Sequence, residues 1–188
     1  MKLNNTYFLL RHGEALSNAR KVYSSWPEKF KNPLTKNGKA MVAKTAKTLK
    51  ENHAKHSKGI DLIFASDLLR TTQTAEIVAR ALNVKVKFDK RLREVDFKDL
   101  NNTSQSNFFY SDLTKKKDRE SYQSILKRAF TFFKEVNGRY KGKHILIVSH
   151  QCPLWLLENK IKGISFKKAM EQAHTEQRIS KAELREIT

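Results

Sequence analysis

Four short apolar runs in this chain alternate with longer segments whose apolar residues recur at helical spacing. The runs are rich in β-branched and aromatic residues and predict strands at residues 7–10, 60–65, 84–88 and 143–150. Helices are predicted at residues 36–51, 68–82 and 122–138, with another beginning within residues 154–157, and a final edge strand at residues 182–187. Strands that alternate with helices pack as layers, so the sequence predicts an α/β fold: a three-layer sandwich with a mostly parallel central sheet and helices on both faces.

Polar residues between these elements predict caps and loops. Thr35 stands where it would cap the first long helix, and Ser66 and Asp67 stand where they would cap the second. Residues 15–32 predict a loop with a short helical turn that lies over the end of the first strand. The periodicity is lost at about residues 96–119, which predict a variable insertion in a single domain that spans residues 1–188.

Residues that could bind an anion or take part in catalysis follow three of the predicted strands. Arg11 and His12 end the first strand, and Ser149 and His150 end the strand at residues 143–150. Arg70 falls in the first turn of the helix after the second strand. The carboxyl ends of parallel strands meet at one edge of a sheet, so we expect these side chains to converge on an anion site. Polar residues at a single strand end would be unremarkable, but the repetition argues against coincidence.

These segments resemble the histidine phosphatase superfamily, also called the phosphoglycerate mutase-like family. The resemblance rests on five blocks in order: residues 10–14 (Leu-Arg-His-Gly-Glu) with Asn18, residues 33–35 with Gly38, residues 66–75, residues 92–94 and residues 148–150. Two segments depart from the family pattern, because Gln-Cys-Pro at residues 151–153 and the run at residues 95–100 lack the glycines found in many relatives. These departures affect the rim of the site. At every catalytic position of the family pattern, this chain has the matching residue.

The resemblance implies a role for each site residue. His12 would attack phosphorus and hold the phosphoryl group as phosphohistidine. Glu94 would protonate the leaving oxygen and then accept a proton from the attacking water. Because the phosphoryl group is anionic, its implied ligands are cations and hydrogen-bond donors: Arg11, Asn18, Arg70 and His150. From the residues alone, Glu94 could instead form a surface ion pair with a neighbouring arginine.

The function that follows from the resemblance is hydrolysis of small phosphate monoesters by a metal-independent phosphatase. Two alternatives remain within the family, a phosphoglycerate mutase and a phosphohistidine or phosphoprotein phosphatase. No metal or other cofactor is expected, since no cysteine or carboxylate completes a ligand set near His53 and His56. Mutases of this type are usually longer, so the 188-residue length favours a phosphatase.

The net charge of +19 supports a different class of function, a basic nucleic-acid-binding protein on a degenerate phosphatase scaffold. No nucleic-acid motif accompanies the charge, however, and aromatic residues do not interleave with a basic stripe. The expected partner is therefore a small phosphorylated substrate and not nucleic acid. No apolar run approaches membrane-spanning length and no secretory signal core is present, so we expect a cytoplasmic protein without a membrane partner. The sequence leaves the oligomeric state open.

Overall fold

A computed structural model describes residues 2–56, 59–105, 119–173 and 178–187. Within these ranges the centre of the molecule is a sheet with the strand order β3-β2-β4-β1-β5. Its strands are β1 (Thr6–Arg11), β2 (Leu62–Ala65), β3 (Val86–Phe88), β4 (His144–Ser149) and β5 (Leu184–Ile187). The first four strands in this spatial order run parallel, and β5 lies antiparallel to β1 at the edge. The predicted α/β fold with a mostly parallel sheet is confirmed.

Helices precede and follow these strands in the predicted order. The described helices are α1 (Leu16–Ala19), α2 (Lys36–His56), α3 (Leu69–Leu82), α4 (Tyr122–Arg139), α5 (Gln151–Ile161) and α6 (Phe166–Glu171). Two short 3-10 helices lie at Lys90–Leu92 and Lys98–Leu100. The helical turn α1 lies in the predicted loop, α5 begins three residues before the predicted start, and α6 was not predicted. No helix in the described ranges has the length and apolar character needed to cross a membrane.

Alternate side chains of the strands pack on opposite faces of the sheet. In β4, Ile145 and Ile147 are buried with residues of α4 and α5, whereas Leu146 and Val148 are buried with residues of α2 and α3. Successive strand side chains point to opposite faces, so an unbroken apolar run is the pattern of a strand covered on both sides. Burial of each such side chain stabilises the fold by roughly 1.5–3 kcal/mol. The predicted helices on both faces are therefore present.

The predicted helix caps have different outcomes. Thr35 Oγ1 accepts a hydrogen bond from the Gly38 N–H at 2.9 Å, which confirms Thr35 as the cap of α2. The prediction for α3 was wrong, because Leu68 occupies the N-cap position and no side chain caps it. Ser66 instead contacts the ring of His150, and the Asp67 carboxylate accepts a hydrogen bond from an arginine side chain. These tertiary partners replace the local capping bonds.

Part of the predicted insertion can be compared with the structure. Residues 106–118 lie outside the described residues, so this part of the prediction stands as it was made. Before them, the 3-10 helix Lys98–Leu100 leads to a β-bridge between Ser104 and Val22. Val22 belongs to the predicted loop at residues 15–32, so the start of the insertion is joined to that loop.

Two glycines permit a close backbone contact between the exit of β1 and the first turns of α2. A Cβ atom at Gly13 would lie 2.5 Å from the Gly38 carbonyl oxygen. A Cβ atom at Gly38 would lie only 2.0 Å from the Glu14 carbonyl oxygen. The Glu14 carbonyl also accepts the Thr35 N–H at 2.9 Å, so it cannot move away without breaking that bond. This contact fixes the segment that follows β1.

We expect Gly38→Ala to destabilise the protein by about 3 kcal/mol, at the upper end of the cost of overfilling a packed site. Alanine normally favours a helix over glycine, but here the clash with backbone outweighs that preference. The matched control is Gly138→Ala in α4, where an added Cβ meets nothing within 4 Å. The control should gain roughly 0.5–1 kcal/mol. Urea unfolding measures both, and equal stability of the two variants would contradict the contact.

Candidate active site

The sheet register brings the ends of three strands to one edge. Residues Arg11 of β1 and Ser149 of β4 are paired, and the next N–H, that of His12, donates to the Ser149 carbonyl at 3.1 Å. On the other side of β4, the Ser66 N–H that follows β2 donates to the Val148 carbonyl at 3.0 Å. His12, His150 and Ser66 therefore occupy the carboxyl edge of three neighbouring parallel strands, where ligands bind in open α/β sheets.

His12 is buried, and its neighbours define its protonation. The Nδ1 atom lies 2.7 Å from the Gly13 carbonyl oxygen, which can only accept, so Nδ1 carries the proton and donates. The Nε2 atom accepts a hydrogen bond from Arg70 Nε at 3.3 Å. Burial holds the pKa of His12 well below its usual value, and the guanidinium groups of Arg70 and Arg11 lower it further. His12 is therefore neutral at pH 7, with the lone pair on Nε2.

His150 lies against His12, with 5.2 Å between the ring centroids. Its Nε2 atom is 2.9 Å from Ser66 Oγ, which already accepts a long bond from the Leu68 N–H. A hydroxyl oxygen can accept two hydrogen bonds and donate one, so this contact permits either tautomer of His150, and the imidazole proton is on Nδ1 when the Ser66 hydroxyl donates to Nε2. Burial holds the pKa of His150 well below its usual value, and the charge of Arg70 adds to this effect. His150 is thus a second neutral imidazole with an N–H donor.

The two arginines differ in how they are held. The Arg70 side chain is only 2% exposed, and it donates from Nη1 to Glu28 Oε1 at 2.8 Å and from Nη2 to the Ser24 carbonyl at 3.2 Å. Arg11 donates from Nη1 to the Ile179 carbonyl at 3.1 Å. Two guanidinium groups beside a neutral histidine make a site for an anion.

Two buried nitrogen atoms at this site have no hydrogen-bond partner among the residues that the structure describes. They are Arg11 Nε and His150 Nδ1. A buried donor without an acceptor costs roughly 1–3 kcal/mol, and most such atoms in proteins are paired. Arg11 Nε would donate to an oxygen atom of a bound oxyanion, and so would His150 Nδ1 in the tautomer that carries its proton there.

Glu94 is buried at the same edge and is only 6% exposed. Burial raises the pKa of its carboxyl group, although Arg70 and the Val95 N–H, which donates to Oε1 at 3.1 Å, oppose the rise. The alternative of a surface ion pair is contradicted by this burial. The neighbouring arginines pair elsewhere, Arg91 with Asp89 and Arg93 with a carboxylate beside α3.

The backbone of the Glu94 segment is fixed from two elements that pack beside it. Arg128 of α4 donates to three backbone acceptors, the carbonyls of Arg91, Arg93 and Glu94, at 2.7, 2.6 and 3.1 Å. Ser149 at the end of β4 donates from Oγ to the Leu92 carbonyl at 2.6 Å. These bonds hold the carboxyl group at the edge of the sheet.

A pocket at this edge unites most of the residues named from the sequence. Its walls are Arg11, His12, Ser17, Asn18, Val22, Ser24, Arg70, Glu94, Phe97 and Gln105. The Asn18 Oδ1 accepts the Ala15 N–H at 2.9 Å, so its Nδ2 is the atom that could donate to a substrate. His150 is not part of this wall, and it joins the site through its contact with the His12 ring. The structure thus brings all six predicted site residues together.

Several wall residues were not predicted individually. The loop at residues 15–32 was expected over the site and supplies Ser17, Val22 and Ser24, while Phe97 and Gln105 come from the start of the insertion. Glu28, the partner of Arg70, was missed entirely. One acidic residue in a lysine-rich loop carries no spacing signal, because its partner lies 42 positions away.

The side chains of the site are of the kind that bind an anion through hydrogen bonds and positive charge. In the ranges that the structure describes, no group of three or more His, Cys, Asp or Glu side chains is arranged to hold a metal ion. The ionic groups of the site include Arg11, Arg70 and the carboxyl groups of Glu28 and Glu94, and the charge of Lys181 also acts on His12. A phosphate group would complete this set through charge-assisted hydrogen bonds.

An α/β sheet whose carboxyl edge joins two neutral histidines, two arginines and a buried carboxyl group defines a class of phosphoryl-transfer site. The chain belongs to the histidine phosphatase superfamily, branch 1, whose model matches residues 7–187. The resemblance drawn from the sequence is confirmed. Members of this superfamily are phosphatases or mutases, which is the level at which the family defines the activity.

Individual relatives carry both kinds of name. The chain is 30% identical over 169 residues to a probable phosphoglycerate mutase, GpmB, from Salmonella arizonae, a match that covers 84% of this chain and 74% of that protein. The structure of YhfR from Bacillus stearothermophilus has the same fold, with a TM-score of 0.82, 21% identity, and coverage of 98% of this chain and 91% of that one. A mycobacterial glucosyl-3-phosphoglycerate phosphatase solved with VO3 has a TM-score of 0.81 at 18% identity, over 97% and 90% of the chains.

Proposed function

We propose that this protein is a metal-independent phosphatase that hydrolyses small phosphate monoesters through a phosphohistidine at His12. The observation that carries the proposal is the state of His12: its proton is held on Nδ1 by the Gly13 carbonyl, and its Nε2 lone pair faces the guanidinium of Arg70. A phosphate group bound by Arg70 would lie beside this neutral imidazole. The nucleophile is therefore next to the phosphorus atom that it attacks.

In the first step, the hydrogen bond from Arg70 Nε to His12 Nε2 is exchanged for one to a phosphoryl oxygen, and the freed Nε2 lone pair forms a bond to phosphorus while the bond from phosphorus to the ester oxygen breaks. Glu94, which is protonated at this stage, transfers its proton to the departing oxygen. Arg11, Arg70 and His150 donate to the phosphoryl oxygens and stabilise the charge that they carry in the transition state. The products are the free alcohol, a phosphohistidine and an ionised Glu94.

In the second step, water attacks the phosphohistidine and transfers a proton to Glu94. The bond from phosphorus to Nε2 breaks, and its electron pair returns to the ring nitrogen. Inorganic phosphate leaves, with His12 neutral and Glu94 protonated as at the start. The buried environment that raises the pKa of Glu94 suits a group that must act first as an acid and then as a base.

The second candidate is a phosphoglycerate mutase, because the relative from Salmonella arizonae has that name. Substrates of a mutase of this kind carry a carboxylate in addition to phosphate, so their recognition calls for further cations. Among the wall residues that the structure describes, the cations are Arg11 and Arg70, and Glu28 neutralises one of them. This charge count favours a phosphatase whose substrate carries no carboxylate beside its phosphate.

One preparation can separate the two activities. We expect it to release inorganic phosphate from a panel of sugar and alcohol phosphates, with activity that survives treatment with a metal chelator. Incubation with 3-phosphoglycerate should yield phosphate and glycerate faster than 2-phosphoglycerate. Faster isomerisation than release would establish the mutase, and loss of activity that returns only with added metal would contradict the mechanism.

A further inference from the structure

The ion pair between Glu28 and Arg70 lies at the phosphate site but has no place in the two chemical steps. Its Oε1 to Nη1 distance is 2.8 Å, and the two side chains are 19% and 2% exposed. A charge-assisted hydrogen bond of this length, largely removed from water, is stronger than a surface ion pair. The carboxylate therefore restricts the same guanidinium that would bind phosphate.

The loop that carries Glu28 is attached to the body of the protein. Ser25 Oγ accepts the Phe97 N–H at 3.0 Å, and the Ser25 N–H donates to Asn101 Oδ1 at 3.1 Å. The Asn101 Nδ2 donates to the Pro27 carbonyl at 2.7 Å, directly before Glu28. The carboxylate is thus presented to Arg70 by a fixed backbone, and substrate binding would not simply displace it.

The negative charge of Glu28 lowers the net positive charge that the site presents to an anion. Arg11 and Arg70 contribute two positive charges, the charge of Lys181 also acts on His12, and both site histidines are neutral. Burial raises the pKa of the Glu28 carboxyl group, but its hydrogen bond to the Arg70 guanidinium opposes the rise and favours the carboxylate, which contributes one negative charge. An unopposed pair of arginines in a buried site would hold phosphate dianion strongly, since Coulomb interactions are weakly screened there. A carboxylate bonded to one arginine weakens that hold on substrate and product alike.

We propose that Glu28 is the internal counter-ion of the phosphate site: it fixes the guanidinium of Arg70 and limits the affinity of the site for phosphate dianion. The proposal rests on the proposed function only for the identity of the anion. Binding that is equally strong for product and transition state contributes nothing to turnover, so a weaker hold on phosphate favours its release. Glu28 is a positioning residue, since it acts through Arg70.

The test is the affinity for inorganic phosphate measured by calorimetry on the intact chain. Glu28→Gln keeps an oxygen acceptor for Arg70 and removes the charge, so the Kd for phosphate should fall roughly 10-fold. With an aryl phosphate substrate, KM should fall as well and kcat should not rise. Glu28→Asp retains the charge and should keep a Kd at or above that of the unaltered protein. A purely structural role would weaken binding in both variants.

The matched control is Glu135→Gln, which removes a carboxylate that pairs with Arg91, also at 2.8 Å, on the exposed surface. Its Kd for phosphate should be unchanged. If the unaltered protein binds phosphate and Glu28→Gln binds it equally or less tightly, the counter-ion proposal is overturned and the proposed function stands. If neither the unaltered protein nor Glu28→Gln binds phosphate, the counter-ion proposal is overturned, and the proposed function fails with it only if the unaltered protein also releases no phosphate from the ester panel. Should Glu28→Gln not fold, Glu28→Ala takes its place with the same expected tightening.

Discussion

Replacement of His12 by alanine is expected to lower kcat/KM for every phosphate ester by roughly 10⁴–10⁶-fold. The variant lacks the atom that forms the covalent intermediate, so neither step has an equivalent route. Rapid mixing with labelled substrate, followed by an acid-free quench, should show a labelled histidine in the unaltered protein and none in His12→Ala. The acid-free quench is needed because the phosphorus–nitrogen bond hydrolyses in acid.

His144→Ala is the control for this experiment. His144 lies at the start of β4, where its Nδ1 contacts the Gly59 carbonyl at 3.2 Å, at the opposite end of the strand from the site. That variant should keep both the label and the activity. Label that persists in His12→Ala would show that another residue is the nucleophile, and His150 would be the first candidate.

Replacement of Glu94 by glutamine should have the second-largest effect, and its size should depend on the leaving group. On sugar phosphates, whose departing alkoxide is basic, we expect a loss of roughly 10²–10⁴-fold. On p-nitrophenyl phosphate, whose leaving group needs little protonation, formation of phosphohistidine should be much less impaired. Hydrolysis of the intermediate still needs a base, so stopped-flow measurements should show a burst of nitrophenol followed by slow turnover.

An equal first-step loss on both substrates would argue against Glu94 as the acid. The next acidic residues along the chain are poorly placed to replace it. The Asp96 carboxylate bonds the Lys98 ammonium at 2.8 Å, and Asp99 pairs with Arg119 at 3.0 Å. Neither forms part of the pocket wall, whereas Glu94 does. Asp96→Asn therefore serves as the comparison variant and should affect both substrates little.

The pH dependence follows from the directions of two pKa shifts. The acid form of Glu94 exists below its pKa, which burial raises above the usual carboxyl value. The neutral form of His12 exists above its pKa, which burial lowers well below that of a free imidazole. We expect kcat/KM for a sugar phosphate to be greatest on the mildly acidic side and to fall as pH rises through the pKa of Glu94. Glu94→Gln should lose that alkaline decline.

The parts of the structure that the sequence predicted are those with a repeating physical pattern. The unbroken apolar run of β4 predicts a strand covered on both faces, and the spacing of buried residues in α4, such as Ile125, Ala129 and Phe133, predicts its helix. The site residues were found for a related reason. Arg11, His12 and His150 stand directly at strand ends, so the fold class itself indicates where they meet.

What the sequence did not predict depends on contacts between distant positions. Ser66 has the composition of a helix cap, but its hydroxyl contacts His150, which is 84 positions away. The early start of α5 is instead a local matter: Pro153 lies in the first turn of that helix, where proline is compatible with the helix because its missing N–H would have no intrahelical partner. Glu28 has no local pattern at all, and only the folded chain shows it beside Arg70.

The attachment of the Glu94 segment has a consequence for how this scaffold could diversify. Its anchors, Arg128 in α4 and Ser149 in β4, are both separated in the chain from the insertion predicted at about residues 96–119. We therefore expect changes of length or composition within residues 97–119 to leave Glu94, the proposed proton donor, in place. Glu94 and the part of the wall that the predicted insertion supplies, Phe97 and Gln105, are thus held by different stretches of the chain, so a lineage could exchange the second stretch and keep the first.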